Sequence, residues 1–304
     1  MACEFSLVFP NWVRSAADAG YAALDEVDRL EQMLSVYTED SELSRVNQLA
    51  AASPVPVEAE VYDLLKKALR LSRQTGGAFD PAAGALVKAW RFYRGPKRVP
   101  SDAEREAALA VSGCRYVRLS DADRTVSLLR PGVEFNLGGV GKGYAIDQAV
   151  TKIRQEYGVR CVLMQGGRSS LRVIGAPLFD PRGWMVEIGD PLREGRTLAR
   201  VWLRDQALGT SGADNQFFVA EGKRYGHILD PRTGWPARRV FSTSVIASTA
   251  TEADALSTAF FVLGPDGARE FCRSRPEITA ILVVPGKSAP EVVVIGEADV
   301  EVFQ

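Results

Sequence analysis

Histidine is nearly absent from this sequence: His227 is the only one in 304 residues. One imidazole excludes zinc chemistry built on several histidines and leaves room for a hard cation held by oxygen. Cysteine is scarce too, and Cys3, Cys114, Cys161 and Cys272 lie far apart with no metal-ligand spacing. Cys161 sits inside an apolar run and reads as a core thiol. No apolar stretch approaches the roughly 18 residues of a membrane span. An excess of one charge is also missing. With 37 basic residues against 38 acidic, the net charge is -1, and no broad basic surface for nucleic acid is expected. The N-terminus, Met1-Ala-Cys-Glu-Phe-Ser, has neither the basic start nor the apolar stretch of a secretory signal. The expected location is therefore the cytoplasm, with the periplasm as the alternative if a signal has been removed. No apolar segment precedes Cys3, which argues against a lipid-anchored cysteine.

Hydrophobic residues make up 46% of the chain, enough for a large core. The first third reads as helical. Ala17, Tyr21, Leu24, Val27, Leu30 and Leu34 recur at three- and four-residue steps, as do Val61, Leu64, Leu65, Ala68 and Leu71 before Gly76-Gly77. The segment Gly95–Pro100 reads as a surface loop. From about Tyr116 short strands are predicted, at Tyr116–Leu119, Thr125–Leu129, Val133–Leu137, Cys161–Met164, Leu171–Ile174, Trp184–Ile188 and Leu198–Leu203. Ile278–Val284 and Glu291–Ile295 follow late in the chain. One helix places Ile146, Ala149, Val150, Ile153 and Tyr157 on a face, and another carries Leu256, Ala259, Phe260 and Leu263 up to Gly264. Strands that follow one another without regular helical crossovers imply α+β rather than doubly wound α/β.

Four segments carry chemistry. Phe135-Asn-Leu-Gly-Gly-Val-Gly-Lys-Gly-Tyr-Ala-Ile-Asp147 runs through a glycine-rich turn into a helix start, where backbone amides suit an anion and Lys142 could pair with a phosphate. It has neither the Walker pattern nor the dinucleotide spacing, and a ligand-free tight turn reads equally well. Leu208-Gly-Thr-Ser-Gly-Ala213 could line a phosphate pocket or be a polar turn. Tyr225-Gly-His-Ile-Leu-Asp-Pro-Arg-Thr-Gly-Trp-Pro236 sets His227 one strand step before a rigid Asp-Pro turn, a place for a general base, a phosphate ligand or a structural histidine. In Thr251-Glu-Ala-Asp-Ala-Leu-Ser-Thr-Ala-Phe260, Asp254, Ser257 and Thr258 fall at i, i+3 and i+4 on one helix face. One carboxylate with hydroxyl oxygens suits magnesium, and the same residues could instead serve as helix caps.

Taken in order, these segments resemble the ApbE family of FAD:protein FMN transferases. The resemblance begins at Leu34-Ser-Val-Tyr37 and Asp40-Ser-Glu-Leu-Ser-Arg-Val-Asn47. It continues through Gly76-Gly-Ala-Phe-Asp-Pro81 and Gly84-Ala-Leu-Val-Lys-Ala-Trp90, then through all four segments above. It implies a single ApbE-like (T-fold-like) α+β domain over 1–304, helix-rich over 1–110 and strand-rich over 111–304, with FAD across the strand-rich half. By that resemblance Tyr37, Ala78, Phe79, Asp80, Asn136, Lys142 and Ile228 are FAD contacts. Gly139 (through its carbonyl), Asp254, Ser257 and Thr258 are magnesium ligands, and His227 is a catalytic candidate. The implied reaction transfers FMN from FAD to a Thr or Ser hydroxyl of an acceptor protein and releases AMP. His227 and Asp254 both remain candidates for the base. FAD hydrolysis to FMN and AMP, or flavin binding without turnover, are the alternatives. The chain departs from the family at Asn136, where Asp is usual, and at Arg168, where Asp or Asn usually follows the paired glycines.

Overall fold

The computed structural model describes residues 3–92, 95–212, 217–287 and 289–303. Along the chain come β1 (Phe5–Val8), α1 (Ala16–Leu34), α2 (Glu42–Leu49), β2 (Val55–Pro56), α3 (Ala59–Gln74), α4 (Gly84–Ala89) and α5 (Asp102–Ala110). A 3-10 turn at Cys114–Tyr116 leads to β3 (Val117–Ser120), β4 (Thr125–Leu128) and α6 (Gly141–Tyr157). Then follow β5 (Val162–Gly166), β6 (Ser170–Ile174), β7 (Trp184–Gly189), β8 (Thr197–Leu203), β9 (Ala207–Gly212), β10 (Phe217–Ala220) and β11 (Lys223–Gly226). The chain ends with β12 (Ser242–Ala247), α7 (Ala250–Arg273), β13 (Thr279–Val284), β14 (Glu291–Ile295) and β15 (Val300–Val302). No helix among the described residues is long and apolar enough to cross a membrane.

The chain divides into two compact units, one formed by 1–30, 140–212 and 239–304, the other by 31–139 and 213–238. The first is built on a seven-stranded sheet in the order β1-β5-β6-β9-β12-β13-β14, every neighbouring pair antiparallel. α6 and α7 cover one face. The small sheet β15-β8-β7 covers the other, through a core of Leu171, Val173, Leu208, Ile246 and Ile281 against Trp184, Ile188, Ala199, Val201 and Leu203. Cys161 belongs to this core, and burial pushes its thiol pKa up. A sheet covered on both faces in this way has no solvent side, which is why all six residues of β12, its three hydroxyl residues included, are buried.

The second unit holds α2 to α5, the sheet β2-β4-β3 and the hairpin β10–β11. α3 ends where the sequence places its stop: Gly76 and Gly77 adopt φ of 58° and 76°, and the Gly77 amide donates to the Ser72 carbonyl. The core gathers Leu86 and Trp90 on and after α4, Ala108 of α5, and Tyr225 and Leu229.

Three sequence expectations are corrected. Val133–Leu137 is not a strand. Its backbone bonds are scattered instead: the Asn47 side chain donates to the Phe135 carbonyl at 3.0 Å and accepts from the Phe135 amide at 2.7 Å, and the Gly84 amide donates to the Glu134 carbonyl at 3.0 Å. Leu208–Gly212 is not a turn but most of the interior strand β9, while Ala213 lies outside the described residues. Gly264 (φ 74°, ψ −173°) breaks α7, but a further helical stretch starts at once from Pro265.

Candidate functional site

Side chains alternate across a strand, so one face of the first unit's sheet can be read residue by residue. Toward the helices β6 turns Ser170 and Arg172, β9 turns Gly209 and Ser211, and β12 turns Thr243; Ser170 faces Gly209 and Ser211 faces Thr243 across the ladders. This is a polar row beneath two helices. α7 sits close because glycine leaves room. A Cβ on Gly209 would lie 2.5 Å from the Ala253 carbonyl carbon, and one on Gly143 would lie 2.1 Å from the Ala250 carbonyl oxygen.

Asp254 lies in the first turns of α7 and is buried at 6% exposure. Its Oδ2 accepts from the Gly143 amide at 2.8 Å and from Ser170 Oγ at 3.0 Å. Burial pushes its pKa up to about 6, against the lowering effect of the Lys142 charge and of these two donors. Ser257 and Thr258 donate to the Asp254 carbonyl at 2.9 and 3.3 Å. Ser211 Oγ lies 2.9 Å from Ser257 Oγ and 3.2 Å from Thr258 Oγ1. The unit thus places Asp254, Ser257 and Thr258 together, brings the Lys142 charge to Asp254, and adds Ser170, Ser211 and the Gly143 amide. A buried carboxylate whose charge is penalised by its surroundings favours a cation nearby. Among the described residues no group of three or more His, Cys, Asp or Glu side chains could hold a metal. A metal here would rest on Asp254, on hydroxyl or carbonyl oxygens, and on oxygens of a ligand. That donor set fits magnesium, which is bound by one or two carboxylates and substrate phosphates.

In the second unit, Tyr37 and Asn136 line one cleft of about 180 Å³ together with Glu39, Asn47, Lys88 and Glu134. Lys88 and Glu134 form an ion pair at 2.6 Å on its wall. Tyr37 is 55% exposed. Asn136 Oδ1 accepts from the Gly138 amide at 2.9 Å and the Asn136 amide donates to the Pro81 carbonyl at 2.7 Å, which ties the glycine-rich turn to the 78–81 turn.

The other predicted contacts in this unit have different surroundings. Ala78 and Phe79 are buried. The Asp80 carboxylate accepts four hydrogen bonds, from Ser72 Oγ, the Ala82 amide, and the amide and thiol of Cys114. Burial, and then the charge of Asp80, push the Cys114 thiol pKa far up. Asp80 therefore holds a turn with its side chain and leaves its backbone as its means of touching a ligand. Gly139 lies in the turn before α6.

His227 follows β11, with its ring edge-on to Phe92 at 6.4 Å between centroids. The Asp-Pro turn after it is rigid: the Thr233 and Gly234 amides donate to the Asp230 carbonyl, and Arg232 donates to Asp230 Oδ1 and Oδ2 at 2.8 Å each. Arg232 is thereby engaged within the turn. Ile228 is buried beside His227.

The profile of the ApbE family matches residues 1–282. The chain belongs to the ApbE family. It is 36% identical over 292 residues to a FAD:protein FMN transferase of Treponema pallidum, covering 90% of this chain and 80% of that one. A FAD:protein FMN transferase of Salmonella typhimurium is 34% identical, with 86% and 75% covered. Among solved structures, the ApbE protein of Thermotoga maritima superposes with TM-score 0.87 at 31% identity, covering 96% and 94% of the two chains. The flavin transferase ApbE of Vibrio cholerae gives 0.85 at 25%, with 97% and 94% covered.

Within this ApbE chain, the departure at Arg168 lies on the exposed turn between β5 and β6, directly after Gly167 at φ 59°. Ser170, two residues on, is the side chain that donates to Asp254. A serine shortly after paired glycines reads as turn chemistry, so nothing in the sequence singles out Ser170. Ser211 belongs to the segment read as a pocket lining or a polar turn, and strand alternation sends the Thr210 and Ser211 hydroxyls to opposite faces of β9.

Proposed function

We propose that this chain is an FAD:protein FMN transferase whose acceptor is a Thr or Ser hydroxyl on another protein. The hydroxyl oxygen attacks the phosphorus of the FMN half of FAD. The bond from that phosphorus to the AMP phosphate breaks, AMP departs, and the hydroxyl proton passes to a base. The observation that carries this reading is the buried Asp254 carboxylate, set among hydroxyls and the Gly143 amide under the influence of Lys142. Asp254, Ser257 and Thr258 are assigned to hold magnesium, with Gly139 contributing its carbonyl. When bound, magnesium would neutralise charge on the pyrophosphate oxygens.

Lys142 is assigned to a phosphate of FAD, and Tyr37 and Asn136 to the flavin nucleotide through the cleft they share. Ala78, Phe79, Asp80 and Ile228 are assigned to FAD by backbone and apolar contact, since burial or internal hydrogen bonds occupy their side chains. His227 is the better base of the two candidates. Asp254 already accepts two hydrogen bonds on Oδ2, and its other oxygen is the one left for the cation.

The test is to incubate the protein with FAD, magnesium and a Thr- or Ser-bearing acceptor, then read in-gel flavin fluorescence and the mass of the acceptor. Covalent FMN on the acceptor with one AMP per transfer is the expected result. AMP release with no label on any acceptor would replace transfer with hydrolysis, and intact bound FAD would replace it with a carrier.

A further inference from the structure

Asp147 is a buried acid with no place in the chemistry above. It lies on α6 at 8% exposure, and every strong acceptor position it has is occupied. Oδ1 accepts from the Ala250 amide at 2.9 Å and from Arg172 Nη1 at 2.6 Å. Oδ2 accepts from the Thr251 amide at 2.9 Å and from Thr251 Oγ1 at 2.5 Å. The Thr249 side chain accepts the Glu252 amide. The first three free amides of α7 are thus satisfied, two of them by a side chain more than 100 residues away in sequence.

The arrangement has a register. Gly143 and Asp147 are one turn apart on α6, and Ala250 and Asp254 are one turn apart on α7. Gly143 holds Asp254 Oδ2 while Asp147 holds the amides at Ala250 and Thr251. Two such points, one turn apart on each helix, fix both the slide and the rotation of α7 against α6. The missing Cβ of Gly143 sets their separation. Arg172 supplies the counter-charge from β6, in the row that also presents Ser170. Its Nε is buried without a hydrogen-bond partner among the described residues, so the pair is a poor device for stability alone. Buried ion pairs are better attested as devices of register.

We propose that Asp147, held by Arg172, is a positioning residue that sets the orientation of Asp254, Ser257 and Thr258 toward their cation without touching it. The proposal rests on the assignment of those three residues as cation ligands. Asp147→Asn keeps the side chain's size and one acceptor but loses the charge and the second acceptor. It is expected to weaken Mn2+ binding, read by electron paramagnetic resonance with Mn2+ as the magnesium probe, by about 10- to 100-fold. Amide exchange over residues 250–254 should accelerate, and kcat for AMP release should fall while KM for FAD stays within about threefold. Should Asp147→Asn fail to fold, Arg172→Lys, which keeps the charge and changes the geometry, is read in the same assays with a smaller loss expected.

A variant with a lowered Tm but unchanged Mn2+ affinity, exchange and kcat would overturn the positioning role and leave a structural one. Wild-type protein that binds no Mn2+ would overturn the cation assignment of Asp254 and this inference with it. Wild-type binding with equal binding by the variant would overturn the inference alone.

Discussion

Asp80 and Asp254 both stand out in the sequence as site residues, and the two units treat them in opposite ways. The Asp80 carboxylate receives four hydrogen bonds that stitch a turn to the Cys114 segment. Asp254 receives two on a single oxygen, is almost wholly buried, and has a pKa pushed up to about 6. A carboxylate saturated by donors has no acceptor capacity left for a ligand. One that is buried and under-supplied is set to receive a cation or a proton.

The strongest way to break this contrast is Asp254→Ala. Catalysis of AMP release is expected to drop about 1,000-fold with the fold retained, as for loss of a group that stabilises transition-state charge. A variant that keeps a tenth of the activity would place the chemistry elsewhere. Asp80→Ala should do the reverse. Losing an acceptor shared by four donors is expected to cost about 2–4 kcal/mol of stability and several degrees of Tm. The remaining folded protein should retain much more activity than Asp254→Ala.

A smaller effect sharpens the comparison through pH. The folded-state pKa of Asp254 is raised from 3.8 to about 6, so the folded state prefers the neutral acid. Its relative stabilisation is complete below about pH 3.8 and is lost as pH rises through about 6. In metal-free protein, Asp254→Asn should therefore be more stable than wild type at pH 8 by about 1–3 kcal/mol, and the advantage should vanish near pH 4. Denaturant melts at both pH values read this directly, and an advantage equal at both would contradict the burial argument. The smallest effect belongs to Asn136→Asp. The carboxylate can still accept from the Gly138 amide, so the turn should hold and FAD affinity should change by no more than about fivefold, roughly 1 kcal/mol. Titration of FAD by flavin fluorescence would check it, and a change of 100-fold would show that the charge at this position governs binding.

The elements with strong periodicity were legible. The helix face of Ile146, Ala149, Val150 and Ile153 became the buried side of α6, though Tyr157, read on the same face, is exposed at its end, and Asp254, Ser257 and Thr258 share a helix face as their spacing implies. β9 was hidden because its two glycines and Ser211 carry little strand signal and outweigh Thr210, and only tertiary packing makes Leu208–Gly212 an interior strand. Val133–Leu137 erred the other way. Its alternation is that of a strand, but its backbone pairs with the Asn47 side chain, the Gly84 amide and the Pro81 carbonyl rather than with another strand. Asp147 was out of reach because its meaning lies in α7, 103 residues further along the chain.

The central claim is a cation-dependent site built on Asp254, and AMP release from FAD followed by chromatography with and without magnesium tests it most directly. The expected result is AMP from the wild type only with magnesium and an acceptor present, and none above background from Asp254→Ala. Equal AMP release from both proteins, or release that ignores magnesium, would contradict it.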